Sequence, residues 1–579
     1  MPDRLTFAVQ RDVPVAMRDG TVLYADVYRP SGPGRYPTML QRTPYDKGTN
    51  VAIALILRAV SSGYAVVLQD VRGRFASEGE FYAFVNERQD GFDTLEWLVA
   101  QPWCDGSVGM FGQSYVGLTQ WQAAMSGHPA LKAIIPTVTA ADYHAGWAYQ
   151  GGAFELSFNL SWTMTNLATN TVMRDTKVHP AAEATFQRLL DGVDDLTTEF
   201  NRLPLTGHPI LAQYAPYYDD WVNHPTYDDY WANLDVSVKH NALNVAALNI
   251  GGWYDIFLKG TIDNFTGMRA NAPAAVRDRQ QLLLAAWNHS GISRGNPIGA
   301  HDFGIRATGA MIDSDGIQLR WFDRWLRDID NSVDSEPPVR LFVMGTNAWR
   351  REQEWPLART DWQEWFLHSG GKANSLHGDG ALSRESPVDE PPDSYVYNPR
   401  NPVPSMGGGL CCNPIFSQGG AYDQRCVEER EDVLVYSTPP LAQPIEVSGP
   451  VKLVLYASSS ATDTDWTAKL VDVGPCGYAR NLTDGILRAR YRDSMRAGVP
   501  ITPGEVVAYE VDLWSTSNTF LAGHRIRLEV SSSNFPRFDR NLNTGEQPGR
   551  SGEMMSALQT VFHAAEHPTH LVLPVIPNA

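Results

Sequence analysis

The sequence predicts an α/β protein in three parts: a parallel sheet wrapped by helices, a helical insertion that interrupts it, and a C-terminal β-sandwich. Three observations carry this. Short apolar runs alternate with helix-length segments from Val22 to about Pro136, the pattern of strands joined by crossover helices. The alternation stops between Ala141 and Asp235, where Trp, Tyr, Phe, Asn and His crowd a stretch without β-branched runs. It resumes near Asn244, and after Pro337-Pro338 gives way to many short strand-like segments joined by Gly, Pro and Asn turns, as in a sandwich of jelly-roll type.

In the first part, strands are expected at residues 36–40, 64–68, 108–111 and 133–135, with helices at 90–99 and 119–125. The insertion, with its aromatic and polar crowding at 147–162, 181–190 and 214–231, is expected to be mostly helical. The sheet regains strands at 244–251 and 281–286 and closes with a helix whose apolar face is Leu319, Phe322, Trp325 and Leu326. The sandwich strands are expected at 339–344, 362–367, 432–436, 451–457, 466–471, 506–513, 525–530 and 571–575. At 579 residues with 43% hydrophobic side chains the chain exceeds one core. The expected division is 1–140 and 237–350 for the two halves of the wrapped sheet, 141–236 for the insertion and 351–579 for the sandwich.

The segment Gly109-Met110-Phe111-Gly112-Gln113-Ser114-Tyr115-Val116-Gly117 is an apolar run ending in a serine between glycines, ahead of a helix-like stretch. A serine on such a sharp strand-to-helix turn exposes its hydroxyl, and the next N–H is free to bind an oxyanion. The usual pattern has glycine two residues after the serine; here Val116 stands there and Gly117 follows. A nucleophilic serine needs a base and a carboxylate to orient the base. Two apolar runs end in suitable loops, Gly251-Gly252-Trp253-Tyr254-Asp255 and Trp287-Asn288-His289-Ser290. Asp255 and His289 thus follow Ser114 in the chain order serine, acid, histidine. The second oxyanion donor, beside the Tyr115 N–H, is expected from Tyr45 in Gln41-Arg42-Thr43-Pro44-Tyr45-Asp46-Lys47, the alternative being a tyrosine that caps the core.

Composition narrows the partners. With 47 Lys+Arg against 65 Asp+Glu the net charge is -18, which disfavours nucleic acid and anionic membranes. No apolar leader or run of roughly 18 apolar residues is seen, so a soluble cytoplasmic protein is expected. Five cysteines, an odd number, argue against a disulfide framework, and buried free thiols are expected, Cys411-Cys412 being the one suggestive pair. Without C-x-x-C or H-E-x-x-H no metal site and no cofactor are expected. The expected partner is a small-molecule ester or amide, with a homodimer left open.

These motifs resemble the bacterial cocaine esterase and Xaa-Pro dipeptidyl-peptidase-like hydrolases, a family that includes α-amino acid ester hydrolases and glutaryl cephalosporin acylases. The resemblance also rests on Gln69-Asp70-Val71-Arg72-Gly73-Arg74-Phe75-Ala76-Ser77-Glu78-Gly79, Trp103-Cys104-Asp105-Gly106, Gly523-His524-Arg525-Ile526 and Ser531-Ser532-Ser533-Asn534-Phe535-Pro536. It implies an α/β-hydrolase core with an inserted helical cap and a C-terminal jelly roll. It implies a glycine at the place of Gly117, Tyr45 in the oxyanion hole, and Trp162 and Phe257 in an aromatic acyl pocket. At Gly409-Leu410-Cys411-Cys412 the sequence departs from an apolar pair of the esterases, with Leu410 expected at the substrate. Hydrolysis of amino-bearing substrates is the alternative and would need pocket carboxylates, for which Asp142, Glu155, Asp219 and Asp220 are available. A binding protein with an inert core is a reading from another class.

Overall fold

The computed structural model describes residues 6–49, 53–413, 415–416 and 418–577, with backbone alone at 293 and 294. Ten strands form the first sheet: β1 (Phe7–Ala16), β2 (Val22–Pro30), β3 (Tyr36–Thr43), β4 (Ala65–Asp70), β5 (Cys104–Gln113), β6 (Leu131–Thr137), β7 (Ala246–Tyr254), β8 (Gln280–Asn288), β9 (Val339–Val343) and β10 (Ala348–Glu352). Their spatial order is β1-β2-β4-β3-β5-β6-β7-β8-β9-β10. The strands from β4 and β3 through β9 pair in parallel, while β1, β2 and β10 are antiparallel to their neighbours. One row crosses the middle of the sheet as Val67, Leu40, Met110, Ile134 and Ala247. Helices cover both faces, so β4 and β7 are buried along their whole length and read as apolar runs without alternation.

Residues 339–343 lie in this sheet, beside β8, and not among the sandwich strands as the turn-rich sequence suggested. The pairing partner is more than fifty residues upstream in the chain, and no local pattern reveals it. Strand β1 was not anticipated either: only one of its ten residues is buried, so it lacks an apolar face.

Between β6 and β7 the chain is largely helical, including Leu156–Trp162, Glu183–Asp194 and Tyr217–Asn223. Among these helices lies a small hairpin, Tyr149–Gln150 with Ala153–Phe154. After β10 an almost entirely antiparallel eleven-stranded sheet includes Ile445–Ser459, Asp465–Val473, Val507–Phe520 and Arg525–Ser531. This β-rich unit is joined to the first sheet directly, since the Tyr254 hydroxyl at the end of β7 donates to the Asn481 carbonyl at 2.9 Å. No described helix is long and apolar enough to cross a membrane.

The cysteine expectation needs correction. Cys411 and Cys412 are joined by a disulfide, Cys426 and Cys476 are exposed, and only Cys104 is a buried free thiol. Adjacent residues bring their sulfurs together without closing a chain loop, so an odd total is no obstacle to one such bridge.

Candidate active site

Ser114 stands between β5 and the helix α1 (Tyr115–Met125), at φ 63° and ψ −125°. That is a strained conformation for a residue with a Cβ, and the surrounding glycines make it possible. Gly112 has φ 128°, and a Cβ there would meet Val116 Cγ1 at 2.3 Å. A Cβ on Gly117 would meet Thr139 at 2.8 Å. The helix therefore needs its glycine where it presses on Thr139, and Val116 occupies the space beside Gly112, which accounts for the shifted glycine in the motif. As first residue of α1, Tyr115 has an N–H with no acceptor inside the helix. Its side chain is anchored behind the turn, donating to Glu87 Oε1 and accepting from the Phe84 N–H, both at 2.9 Å.

Asp255 follows β7 and His289 follows β8. Their side chains meet at 2.7 Å between Asp255 Oδ1 and His289 Nδ1, and both are buried. This contact leaves the other imidazole nitrogen for a different partner. Ser114 and His289 line the same cavity of about 650 Å³, together with Tyr45 and Trp162.

The Tyr45 hydroxyl accepts from Trp162 Nε1 at 3.0 Å, and Tyr45 shares the cavity wall with Ser114. Burial pushes its pKa up to about 12, so it stays a protonated donor. Its loop is pinned from two sides. Lys47 donates its backbone N–H to Asp70 Oδ1 at 2.8 Å and its ammonium to Asp70 Oδ2 at 3.1 Å. Arg74 donates to the carbonyls of Pro44, Leu167 and Asn166, each at 2.8 Å, and so ties the loop to the helical insertion. Burial lowers the Arg74 pKa to about 10. Asp70 and Arg74 lie in one of the sequence motifs, but their roles in holding this loop are visible only in the fold.

Trp162 borders the cavity and Phe257 does not, but both belong to one aromatic cluster. Phe158 stacks on Trp162 at 5.4 Å, Trp147 stacks on Phe257 at 4.3 Å, and Phe257 meets the His289 ring edge to face at 5.3 Å. Trp147, Phe158 and Trp221, which also stacks on Trp162, were not singled out from sequence; the aromatic crowding of 141–235 was their signal. Leu410 is buried and does not border the cavity, whereas Cys412 from the same loop does. None of Asp142, Glu155, Asp219 and Asp220 borders it; the wall carboxylate is Asp315, whose pKa is raised by burial. One ring nitrogen of His289 and the sulfurs of Cys411 and Cys412 lie within 4.8 Å of one another.

Residues 19–291 match the family described as X-Pro dipeptidyl-peptidase (S15 family), and residues 331–572 match its C-terminal non-catalytic domain. The chain is 42% identical to cocaine esterase of Rhodococcus sp. (strain MB1 Bresler) over 98% of its own length and 99% of the relative's. It belongs to the cocaine esterase and X-Pro dipeptidyl-peptidase (S15) family of hydrolases. Two solved structures of family type are similar over nearly the whole chain. An aminopeptidase from a marine sediment Thaumarchaeota archaeon superposes with a TM-score of 0.82 at 26% identity, covering 100% of this chain and 98% of that one. An α-amino acid ester hydrolase superposes with a TM-score of 0.79 at 26% identity, covering 99% and 97%. The family carries an N-terminal α/β domain and a C-terminal β-rich domain, and this chain has both.

Proposed function

We propose that the protein is a serine hydrolase that cleaves carboxylic esters, and amides of similar shape, through an acyl-enzyme. Ser114 Oγ attacks the carbonyl carbon while its proton passes to the free nitrogen of His289, and Asp255 holds the resulting imidazolium. The carbonyl oxygen, now an oxyanion, accepts from the Tyr45 hydroxyl and the Tyr115 N–H. Collapse expels the alcohol or amine, which takes the proton back from His289, and water repeats the sequence on the acyl-enzyme. The acyl group rests against Trp162, backed by the aromatic cluster that includes Phe257, with the helical insertion as a cap and the β-rich unit as a jelly roll. On this reading the parts divide at about 140, 236 and 350.

The observation that carries the reading is a serine at positive φ on a strand-to-helix turn, facing a cavity shared with a half-buried tyrosine and a carboxylate-bound histidine. An aryl phosphonate should form one covalent adduct at Ser114, found by mass spectrometry. Ser114→Ala should fold normally, take no adduct and lose turnover; retention of a tenth of the wild-type rate would remove Ser114 as nucleophile.

Asp315 on the cavity wall favours a second reading, in which a substrate ammonium is held there. Paired substrates with free and acylated amino groups test it. A kcat/KM preference for the free amine that disappears in Asp315→Asn supports this reading, and indifference to the amine rules it out.

A further inference from the structure

Cys411 and Cys412 have no part in the hydrolytic steps, yet they sit beside the base that those steps require. Their position is built into the fold. The loop closes on itself through paired Gly408 and Gly420 backbone bonds, 2.8 and 2.9 Å long. It is tied to the end of β8 by Asn288 Nδ2, which donates to the Gly419 carbonyl at 3.1 Å. His289 is the next residue, so the same anchor sets the distance from the imidazole to the sulfurs. Cys411 is buried, and Cys412 is exposed and borders the cavity.

We infer that, once reduced, Cys411, Cys412 and His289 form an inhibitory site for a thiophilic divalent cation such as Zn²⁺. The inhibitory part rests on the reading of His289 as the base; the binding part does not. Reduction by a thiol reductant takes up two electrons and two protons and converts the disulfide to two thiols. Metal binding then releases those two protons, giving two thiolate bonds and one imidazole bond to the cation. Two sulfurs and one nitrogen are the donor set that zinc prefers over oxygen-seeking cations. In a tetrahedral site with Zn–S near 2.3 Å, neighbouring ligand atoms are about 3.5–3.8 Å apart; the bonded sulfurs must part on reduction to reach this spacing, while a His289 ring nitrogen already lies within 4.8 Å of both. Asp255 on His289 Nδ1 supplies the carboxylate–histidine pairing that orients metal-binding imidazoles and raises their basicity. The fourth position opens toward the cavity. A cation held there occupies the lone pair that would accept the Ser114 proton, and turnover stops. In the disulfide state the sulfurs are no longer thiolates and the protein is resistant.

Cobalt(II) and zinc titrations of the full chain test this, in a Cys426→Ser/Cys476→Ser background that removes the two exposed thiols outside the cavity. The reduced protein should bind one cobalt with a sulfur-to-cobalt charge-transfer band. One equivalent of zinc should lower its ester turnover at least ten-fold, with recovery on chelation. The diamide-oxidised protein and Cys411→Ser/Cys412→Ser should show no band, and zinc should leave each at its own starting rate. His289→Ala should keep the band but bind cobalt at least ten-fold more weakly. The inference fails if the band survives in Cys411→Ser/Cys412→Ser, if reduced and oxidised protein respond alike to zinc, or if the zinc-saturated reduced protein keeps its rate. Turnover retained in Ser114→Ala would sink the hydrolase reading alone, because the cobalt band does not depend on Ser114; this keeps the two failures distinct.

Discussion

The Tyr45 hydroxyl has one lone pair engaged by Trp162 Nε1, and Tyr45 lines the cavity with Ser114. A phenol so held has its proton free to follow the oxygen that becomes negative in the reaction. Tyr45→Phe keeps the ring and removes that donor, so kcat should fall by about 10²–10³ with KM little changed. A tyrosine that merely capped the core would instead lower the thermal midpoint and leave kcat within a few-fold. Measuring both on one preparation decides between these roles. Tyr45, Asp255 and His289 were legible in the sequence because each follows an apolar run directly, and in a parallel sheet such positions share one edge. Trp162 as a hydrogen-bond donor to Tyr45 was not legible, because 117 residues separate the two and only the tertiary fold joins them.

At the scale of elements, the turn between β5 and α1 is tightly constrained backbone. Gly112→Ala would place a Cβ at 2.3 Å from Val116 Cγ1 and force a side chain to φ 128°. The expected loss is about 1–3 kcal/mol in urea unfolding, with a larger fall in kcat because Ser114 moves with the turn. Adding Val116→Gly should relieve the clash and recover part of the stability, leaving the cost of the positive φ. If Gly112→Ala alone is neutral, the packing account of the shifted glycine is wrong. The elbow was readable from sequence because glycine spacing is local chemistry. Strand β9 was misplaced among the sandwich strands because parallel pairing is not local, and the hairpin at 149–154 within the mostly helical insertion turns where Gly151 and Gly152 both have positive φ.

At the scale of the molecule, the helical insertion is joined to the β-rich unit through buried charge. Arg537 lies against Asp484 at 2.6 Å and Glu155 at 3.6 Å, and donates to Gln150 at 3.0 Å. Asp539 accepts from the Phe154 N–H and from Arg488, which is itself paired with Asp465. The three-part organisation could be read from the sequence as changes in periodicity, but this seam could not, because its partners lie more than 300 residues apart.

Glu155 gives the seam a pH signature. Burial raises its pKa to about 7 despite the nearby Arg537, against about 4.3 for an unfolded glutamate. Between these values the folded protein binds more protons at this site than the unfolded chain, so the contribution of Glu155 to stability falls as pH rises from about 4.5 to 7 and is level above that. Glu155→Gln keeps the size and a neutral hydrogen-bonding group, and Arg537 retains Asp484 and Gln150. The thermal midpoint of the variant minus that of the wild type should therefore increase from pH 5 to pH 7.5. Asp142, raised to about 6 by burial and the nearby Asp235, titrates in both proteins and cancels in the difference. A midpoint difference that stays constant across this range would mean that Glu155 is ionised throughout and that the seam is a permanent ion pair with Arg537.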